Sequence, residues 1–103
     1  MQRGEVRWYT FPSPDKKRPV VVLTRDSAIA ILGEVTVAPL TTTIRDIPSE
    51  VLLTEADGLP KVCAVNLDHV QTVSKRKIGT LITTLRGDTM TQVGRALRFA
   101  LGL

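Results

Sequence analysis

The run from Arg18 to Thr24, RPVVVLT, constrains the fold of this chain more than any other stretch. Its apolar part does not alternate with polar residues and is rich in β-branched valine, which is typical of a strand covered on both faces. The uninterrupted apolar stretch in this run, Val20 to Leu23, is far shorter than the roughly 20 residues that a membrane-spanning helix requires, and no other stretch of the sequence approaches that length. The sequence therefore predicts a central strand in a sheet, and no membrane segment.

Several other stretches have strand character. Near the N-terminus, Val6 and Trp8 alternate with charged residues, which is the period of a strand with one solvated face. EVLLT and VCAVN flank the pair Asp57-Gly58, which favours a turn with positive φ, so we expect a hairpin there. Pro39 near the end of EVTVAPL indicates an edge strand or a bulge. HVQTV is predicted as a further strand, KIGTLITTL is ambiguous between strand and loop, and two prolines predict a loop at FPSPDKK.

The end of the chain has a helical period. From Asp88, the predicted N-cap, Gln92, Arg95 and Arg98 face away from an apolar stripe formed by Met90, Val93, Leu97, Ala100 and Leu101. We expect this amphipathic helix to cover the sheet.

A second, much shorter helical turn is predicted earlier in the chain. Asp26 would cap it, it would run through Ile31, and Gly33 would end it. Five or more short strands with one terminal helix predict a mainly β fold, arranged as a small, strongly bent sheet or barrel.

Length and composition set the remaining limits. A chain of 103 residues suffices for one domain, residues 1–103, around a single core. The net charge of +4 is a mild bias toward polyanionic partners. Cys63 is the only cysteine, and the N-terminal MQRGEVRW carries charges where a signal peptide would be apolar, so we expect a cytoplasmic protein without a disulfide.

Four segments of the chain resemble the MazF/PemK toxins of toxin-antitoxin systems. They are RGEVRW, KKRPVVVLT, VAPLTTT followed by IPSEVLL, and CAVNLDHVQTVSKRKI before the closing helix. The resemblance implies an SH3-like barrel with a terminal helix, usually dimeric. It also implies a sequence-specific, metal-independent endoribonuclease without a cofactor. Its substrate would be single-stranded RNA, with mRNA, rRNA and tRNA as candidates, and a cognate antitoxin would neutralise it.

The resemblance assigns the catalytic roles to Arg18 and Thr41. If strands 17 to 24 and 34 to 41 lie close together, both side chains can face one phosphate. Cleavage without a metal requires the 2′-hydroxyl to attack its own phosphorus, and a guanidinium suits the negative charge that builds on the phosphate oxygens. The products would be a 2′,3′-cyclic phosphate and a 5′-hydroxyl. Since arginine is a poor general base, we assign Arg18 to charge stabilisation and Thr41 to hydrogen-bond donation.

Other polar residues are predicted to contact RNA, and each has a structural alternative. The predicted contacts are Lys16, Lys17, Thr42, Thr43, Arg45, His69, Gln71, Lys75, Arg76 and Lys77. His69, the only histidine, is also a candidate acid or base for RNA cleavage. Because the family commonly has glutamine at this position, we favour a polar contact on a strand. A basic triplet such as residues 75–77 also occurs in solvated turns. Trp8 either stacks on a base or belongs to the core.

The chain departs from the family pattern at two places, and two alternative functions are considered. The loop FPSPDKK is shorter than the usual segment containing Gly-Ser-Glu, and Cys63 stands where serine is common. The related CcdB toxins are non-catalytic gyrase inhibitors that act through a tryptophan near the C-terminus, whereas this chain ends in FALGL. A barrel that only binds single-stranded nucleic acid would need more stacking side chains than four aromatic residues supply.

Two partners follow from these expectations. Apolar strand edges predict a homodimer, with RNA in a groove along the interface. Cations around Arg18 predict an antitoxin with an acidic, disordered tail that folds on binding and blocks the groove.

Overall fold

The computed structural model describes residues 1–12 and 16–103. Within these residues the chain forms seven strands, two α-helices and three short 3₁₀ helices. The strands are β1 (Glu5–Phe11), β2 (Lys16–Val22), β3 (Glu34–Thr41), β4 (Glu50–Leu53), β5 (Cys63–Asn66), β6 (Gln71–Ser74) and β7 (Ile78–Thr84). The α-helices are α1 (Asp26–Ile29) and α2 (Gly87–Leu101), and the 3₁₀ helices are Glu55–Asp57, Leu67–His69 and Lys75–Lys77.

The strands form one antiparallel sheet in the order β4, β5, β3, β2, β1, β7, with β6 also paired to β3. Strand β2 lies between β1 and β3, and Val20, Val21 and Val22 are fully buried, which confirms the predicted central strand. No pairing joins β4 to β7 in the described part of the chain, so the bent sheet is an open barrel. The predicted mainly β fold with a C-terminal helix is confirmed.

Each face of the sheet carries its own buried cluster. The α2 face holds Val6, Val21 and Leu40, which pack with Val93 and Ala96 of α2. The α1 face holds Tyr9, Val20, Val22, Val35, Val37 and Val73, which pack with Ile29 of α1. Neighbouring valines of β2 therefore point into different clusters, which explains why that run does not alternate with polar residues.

Helix α2 confirms the predicted amphipathic pattern, with two corrections at its ends. Its N-cap is Arg86, not Asp88. The Asp88 carboxylate lies in the first turn, where it accepts a hydrogen bond from Thr89 N at 2.9 Å and suits the positive end of the helix dipole. The predicted apolar stripe ends early, because Leu101 is 55% exposed.

Helix α1 is shorter than predicted, and Asp26 does not cap it. The N-cap is Arg25, which makes no side-chain capping bond. The Asp26 carboxylate instead accepts a hydrogen bond from Arg3 N at 2.7 Å and so fastens the N-terminal segment. The helix ends at Ile29 rather than Ile31.

Strand β3 is internal, so the edge position predicted from Pro39 is wrong. On one side Pro39 pairs with Val20 of β2. On the other side, residues 34–37 pair with β6 and residues 40–41 pair with β5. Pro39 thus falls where β3 changes partners, a place where the missing N–H donor disrupts neither ladder.

The remaining predicted segments are resolved as follows. The hairpin of β4 and β5 is confirmed, and Gly58 has the expected positive φ of 91°. The ambiguous KIGTLITTL segment is strand β7 at residues 78–84. The loop predicted at FPSPDKK is shorter than expected, because β1 runs to Phe11 and β2 begins at Lys16, while residues 13–15 lie outside the described residues.

Candidate active site

Arg18 and Thr41 lie near the same end of two neighbouring strands. Val20 of β2 pairs with Pro39 of β3 in an antiparallel ladder. The pairing of the two strands ends at these residues. Arg18 lies two residues beyond Val20 and Thr41 lies two residues beyond Pro39, so both side chains lie at the same end of β2 and β3, just past the last paired residues.

This pair lies in a longer row across the α1 face. Arg18 pairs with Tyr9 on β1, and Thr41 pairs with Ala64 on β5. Side chains alternate between faces along a strand, so Arg18 shares the face of Val20 and Thr41 shares the face of Val37. Burial decreases toward this end of β2, where residues 16–18 are exposed. The result is a cation and a hydroxyl at an open end of an otherwise apolar face.

The two side chains have complementary hydrogen-bonding capacity. Arg18 is exposed and presents a planar set of N–H donors. Thr41 is half-buried, and its Oγ1 accepts a hydrogen bond from Thr43 N at 3.1 Å. That contact uses an oxygen lone pair and leaves the hydroxyl hydrogen for donation. Both groups can therefore donate to the same anionic ligand.

Lys16 and Lys17 point to different faces, although both were predicted to contact RNA. Alternation places Lys16 on the α1 face with Arg18. Lys17 Nζ lies 5.3 Å from the ring centroid of Trp8, a cation–π contact on the opposite face. Trp8 itself is half-buried, so it is not a core residue.

The loop after β3 carries Thr42, Thr43 and Arg45, which are all exposed. Glu50 shapes this loop, because its Oε1 accepts hydrogen bonds from Arg45 N at 2.9 Å and from Asp46 N at 3.1 Å. Thr42 and Thr43 follow Thr41 directly, so this loop begins at the row that contains Arg18.

His69 and Gln71 differ in their relation to this row. His69 is exposed at the end of a 3₁₀ helix, so its predicted placement on a strand is wrong. Asn66 starts this turn by accepting a hydrogen bond from Asp68 N at 3.0 Å. Gln71 pairs with Val37 and lies on the α1 face. Its partner Val37 is four residues from Thr41 along β3, which corresponds to about 13 Å at the rise of a strand.

The basic triplet of residues 75–77 is divided. Lys75 is half-buried, and its Nζ donates a hydrogen bond to Ile29 O at the end of α1. Arg76 and Lys77 are exposed. Lys77 directly precedes Ile78, whose partner Tyr9 is the cross-strand neighbour of Arg18. Lys77 is therefore near the row, whereas Lys75 fastens a helix.

The match to a known protein family covers almost the whole chain. Residues 2–101 match the profile of the PemK-like, MazF-like toxins of type II toxin-antitoxin systems. The chain belongs to this family.

Individual relatives agree with the PemK/MazF assignment. The chain is 43% identical over 99 residues to the Mycobacterium tuberculosis protein named "Probable endoribonuclease MazF5", covering 95% of this chain and 90% of that protein. Its fold matches the structure of M. tuberculosis toxin MazF-mt6 with a TM-score of 0.88 and 32% identity, covering 96% of this chain and 97% of the toxin. A mycobacterial endoribonuclease in complex with its cognate antitoxin gives a TM-score of 0.89 at 28% identity, covering 100% of this chain and 96% of that one.

Sequence reasoning missed two residues of this PemK/MazF chain. Tyr9 pairs with Arg18 and belongs to the α1 cluster. The alternating pattern of β1 could have indicated that Tyr9 points to the opposite face from Trp8. Glu50 holds the loop after β3, and an isolated glutamate in IPSEVLL gives no signal by itself.

Outside the candidate site, the lone cysteine is part of the packed core. Burial, and to a smaller extent the charge of Asp57, raises the pKa of Cys63, which packs on the α2 face. Among residues 1–12 and 16–103, no group of three or more His, Cys, Asp or Glu side chains is arranged to hold a metal ion. None of the helices in these ranges is long and apolar enough to cross a membrane.

Proposed function

We propose that this chain is the toxin of a toxin-antitoxin pair and a sequence-specific endoribonuclease that cuts single-stranded RNA. One observation supports the proposal, namely that Arg18 and Thr41 lie at the same end of the neighbouring strands β2 and β3, at the open end of the α1 face, in a PemK/MazF protein. The family match favours this function over gyrase inhibition and over simple nucleic-acid binding.

The proposed reaction is an in-line transesterification. The 2′-oxygen bonds to the adjacent phosphorus and releases its proton to water, while the bond from phosphorus to the 5′-oxygen breaks and that oxygen takes up a proton. The products are a 2′,3′-cyclic phosphate and a 5′-hydroxyl. Arg18 stabilises the charge on the non-bridging oxygens, and Thr41 donates a further hydrogen bond to them. DNA is not cut, because it lacks the 2′-hydroxyl.

The surrounding cations extend the proposed RNA site along the α1 face. Lys16 and Lys77 lie near Arg18, and the loop of Thr42, Thr43 and Arg45 begins beside Thr41. We assign these residues to phosphate and base contacts, whereas Lys17 and Lys75 support the fold. We place the activity in the cytoplasm, where mRNA is translated and a lone cysteine remains a thiol.

A homodimer and an antitoxin complete the proposal. Exposed apolar side chains on β7 and α2, including Leu81, Phe99 and Leu101, and the free edges of β4 and β7 in the described part favour pairing of two copies. An acidic antitoxin tail would pair with the cations around Arg18 and exclude RNA. Sedimentation of an active monomer at micromolar concentration would refute the dimer.

Incubation of the purified protein with a long single-stranded RNA in EDTA tests the central proposal. We expect discrete cuts with cyclic phosphate and 5′-hydroxyl ends. A substrate with one 2′-deoxynucleotide at the cut position should resist cleavage there and nowhere else. Arg95→Ala, a change on the exposed side of α2, is the matched control and should cut normally. Intact RNA together with inhibition of gyrase would support the alternative function.

A further inference from the structure

A small apolar pocket lies beside the proposed catalytic pair. Its volume is about 210 Å³, and it is lined by Ile44, Asp46, Ile47, Glu50, Leu52 and Ala64. Pockets for drug-sized ligands begin near 300 Å³, so this one suits a single planar ring system. Three of its apolar side chains, Ile44, Ile47 and Leu52, are exposed despite their size.

The sheet register fixes the position of this pocket relative to the cleavage site. Leu52 of β4 pairs with Ala64 of β5, and Ala64 pairs with Thr41. All three residues lie on the α1 face. Their sequence neighbours Val51, Val65 and Leu40 belong to the α2 cluster, and side chains alternate between faces along a strand. The pocket therefore begins one strand from Thr41, about 5 Å away.

Glu50 in the pocket wall has one oxygen that the protein leaves without a hydrogen bond. Its side chain is only 4% exposed. Oε1 accepts from the two backbone N–H groups of the loop, whereas Oε2 is buried without a hydrogen-bond partner in the described residues. The guanidinium of Arg45 lies 3.8 Å from Oε2, too far for a hydrogen bond.

A buried carboxylate oxygen without a hydrogen bond is costly, and such groups in folded proteins usually have a hydrogen-bond partner. Arg45 forms an ion pair with this oxygen at 3.8 Å, and its own side chain is largely exposed. A ligand that displaced it and supplied an N–H donor would complete the coordination of Glu50. Ionised glutamate is an acceptor only, so the ligand must donate.

We propose that this pocket binds the base next to the scissile phosphate and selects a base that carries an amino group over uracil. This inference rests on the proposed function. Ile44, Ile47 and Leu52 contact the faces and edges of the base, and Glu50 Oε2 accepts from the exocyclic amino group of cytosine, adenine or guanine. Uracil is disfavoured because two carbonyl oxygens flank its single N–H and repel the carboxylate. Arg45, once displaced, stacks on the base or binds a phosphate.

Glu50→Gln tests the proposal with little change in shape. The glutamine carbonyl can keep both backbone N–H contacts of the loop, while an amide NH₂ replaces Oε2 and now favours a carbonyl such as that of uracil. We expect the base preference at one position flanking the cut to shift toward uracil by about tenfold, on the scale of one polar base contact. Sequencing the ends released from a randomised single-stranded RNA pool measures this shift. Glu55→Gln, an exposed carboxylate outside the pocket, should leave the preference unchanged.

Leu52→Trp provides a second variant in case Glu50→Gln does not fold. Leu52 is exposed, so a larger side chain there can fill the pocket without disturbing the core. It should abolish the preference at the same position while cleavage continues. Unchanged preferences in a folded Glu50→Gln or Leu52→Trp protein that still cuts RNA would overturn this inference alone. Failure of the unmodified protein to cut RNA would overturn the proposed function and this inference with it.

Discussion

Two basic segments, Lys16 to Arg18 and Lys75 to Lys77, each contain two lysines and one arginine but differ in their surroundings. Arg18 is exposed on the α1 face, at the end of β2 that lies next to the Thr41 end of β3. Lys75 donates to a main-chain carbonyl of α1 and is half-buried. The comparison shows that positive charge in a sequence does not distinguish a binding site from a structural anchor. What distinguishes them is whether the protein itself already supplies the partner.

The largest effect on RNA cleavage should come from removing Arg18, the cation exposed on the open end of the α1 face. Arg18→Ala should lower the rate of RNA cleavage at least about 100-fold, because its interaction is made mainly in the transition state. Arg18→Lys should recover little, since an ammonium cannot reproduce the planar pair of donors. Single-turnover cleavage measures both, and thermal unfolding should remain unchanged. If Arg18→Ala cleaved RNA at the native rate, the assignment of Arg18 to the catalytic site would be wrong.

A paired test compares Lys16 with Lys75 directly. Lys16→Ala should weaken RNA binding several-fold and lower the slope of log affinity against log salt by about 1, as expected for one lost phosphate contact. Lys75→Ala should leave that slope unchanged and cost about 1 kcal/mol of stability through its lost hydrogen bond. Binding titrations at several salt concentrations and chemical denaturation separate the two effects. The reverse outcome would mean that RNA lies along the basic triplet.

A smaller effect concerns Arg7, a cation with a partner of its own. Arg7 Nε lies 2.7 Å from Glu5 Oε1. Burial by itself would raise the pKa of Glu5, but the hydrogen bond and charge of Arg7 and a backbone hydrogen bond from Gln2 outweigh it and lower the pKa.

A lowered pKa in the folded state means that Glu5 stabilises the fold above its unfolded pKa of about 4.3. This stability is lost as the pH falls through the folded pKa. Glu5→Gln should therefore be less stable than the unmodified protein near pH 7 by roughly 1 kcal/mol or less, and the difference should vanish in acid. Denaturation at a series of pH values checks this, and RNA cleavage at pH 7 should be unaffected. A difference that grows in acid would contradict the assignment.

Hydrophobic periodicity was sufficient to predict most of the fold. The valines of β2 and the stripe of α2 signal burial through patterns that depend only on neighbouring residues. The predicted helix caps were wrong. Asp26 binds the N–H of Arg3, which is distant in sequence, and Asp88 binds the N–H of Thr89 from inside the first turn of α2. Pro39 was misplaced because the change of partner along β3 is a property of the assembled sheet.

The candidate site was less accessible to sequence reasoning. Arg18 and Thr41 came from the family resemblance, and only the pairing of β2 with β3 shows that they lie at the same end of neighbouring strands. Lys16 and Lys17 are adjacent in sequence, yet strand alternation sends them to opposite faces. Glu50 was missed because its role depends on the fold of the preceding loop, residues 42–49, and on its pairing with β5.

The central claim is that Arg18 and Thr41 act on one phosphate, and a double-mutant cycle tests it most directly. Thr41→Val keeps the shape and removes the hydroxyl, and alone it should slow cleavage by about tenfold, whereas Thr41→Ser should be close to normal. Residues that act as a unit are not additive. The rate of Arg18→Ala combined with Thr41→Val should therefore be close to that of Arg18→Ala alone. A double variant slowed by the full product of the two single effects would show that the residues act independently and would contradict a shared phosphate site.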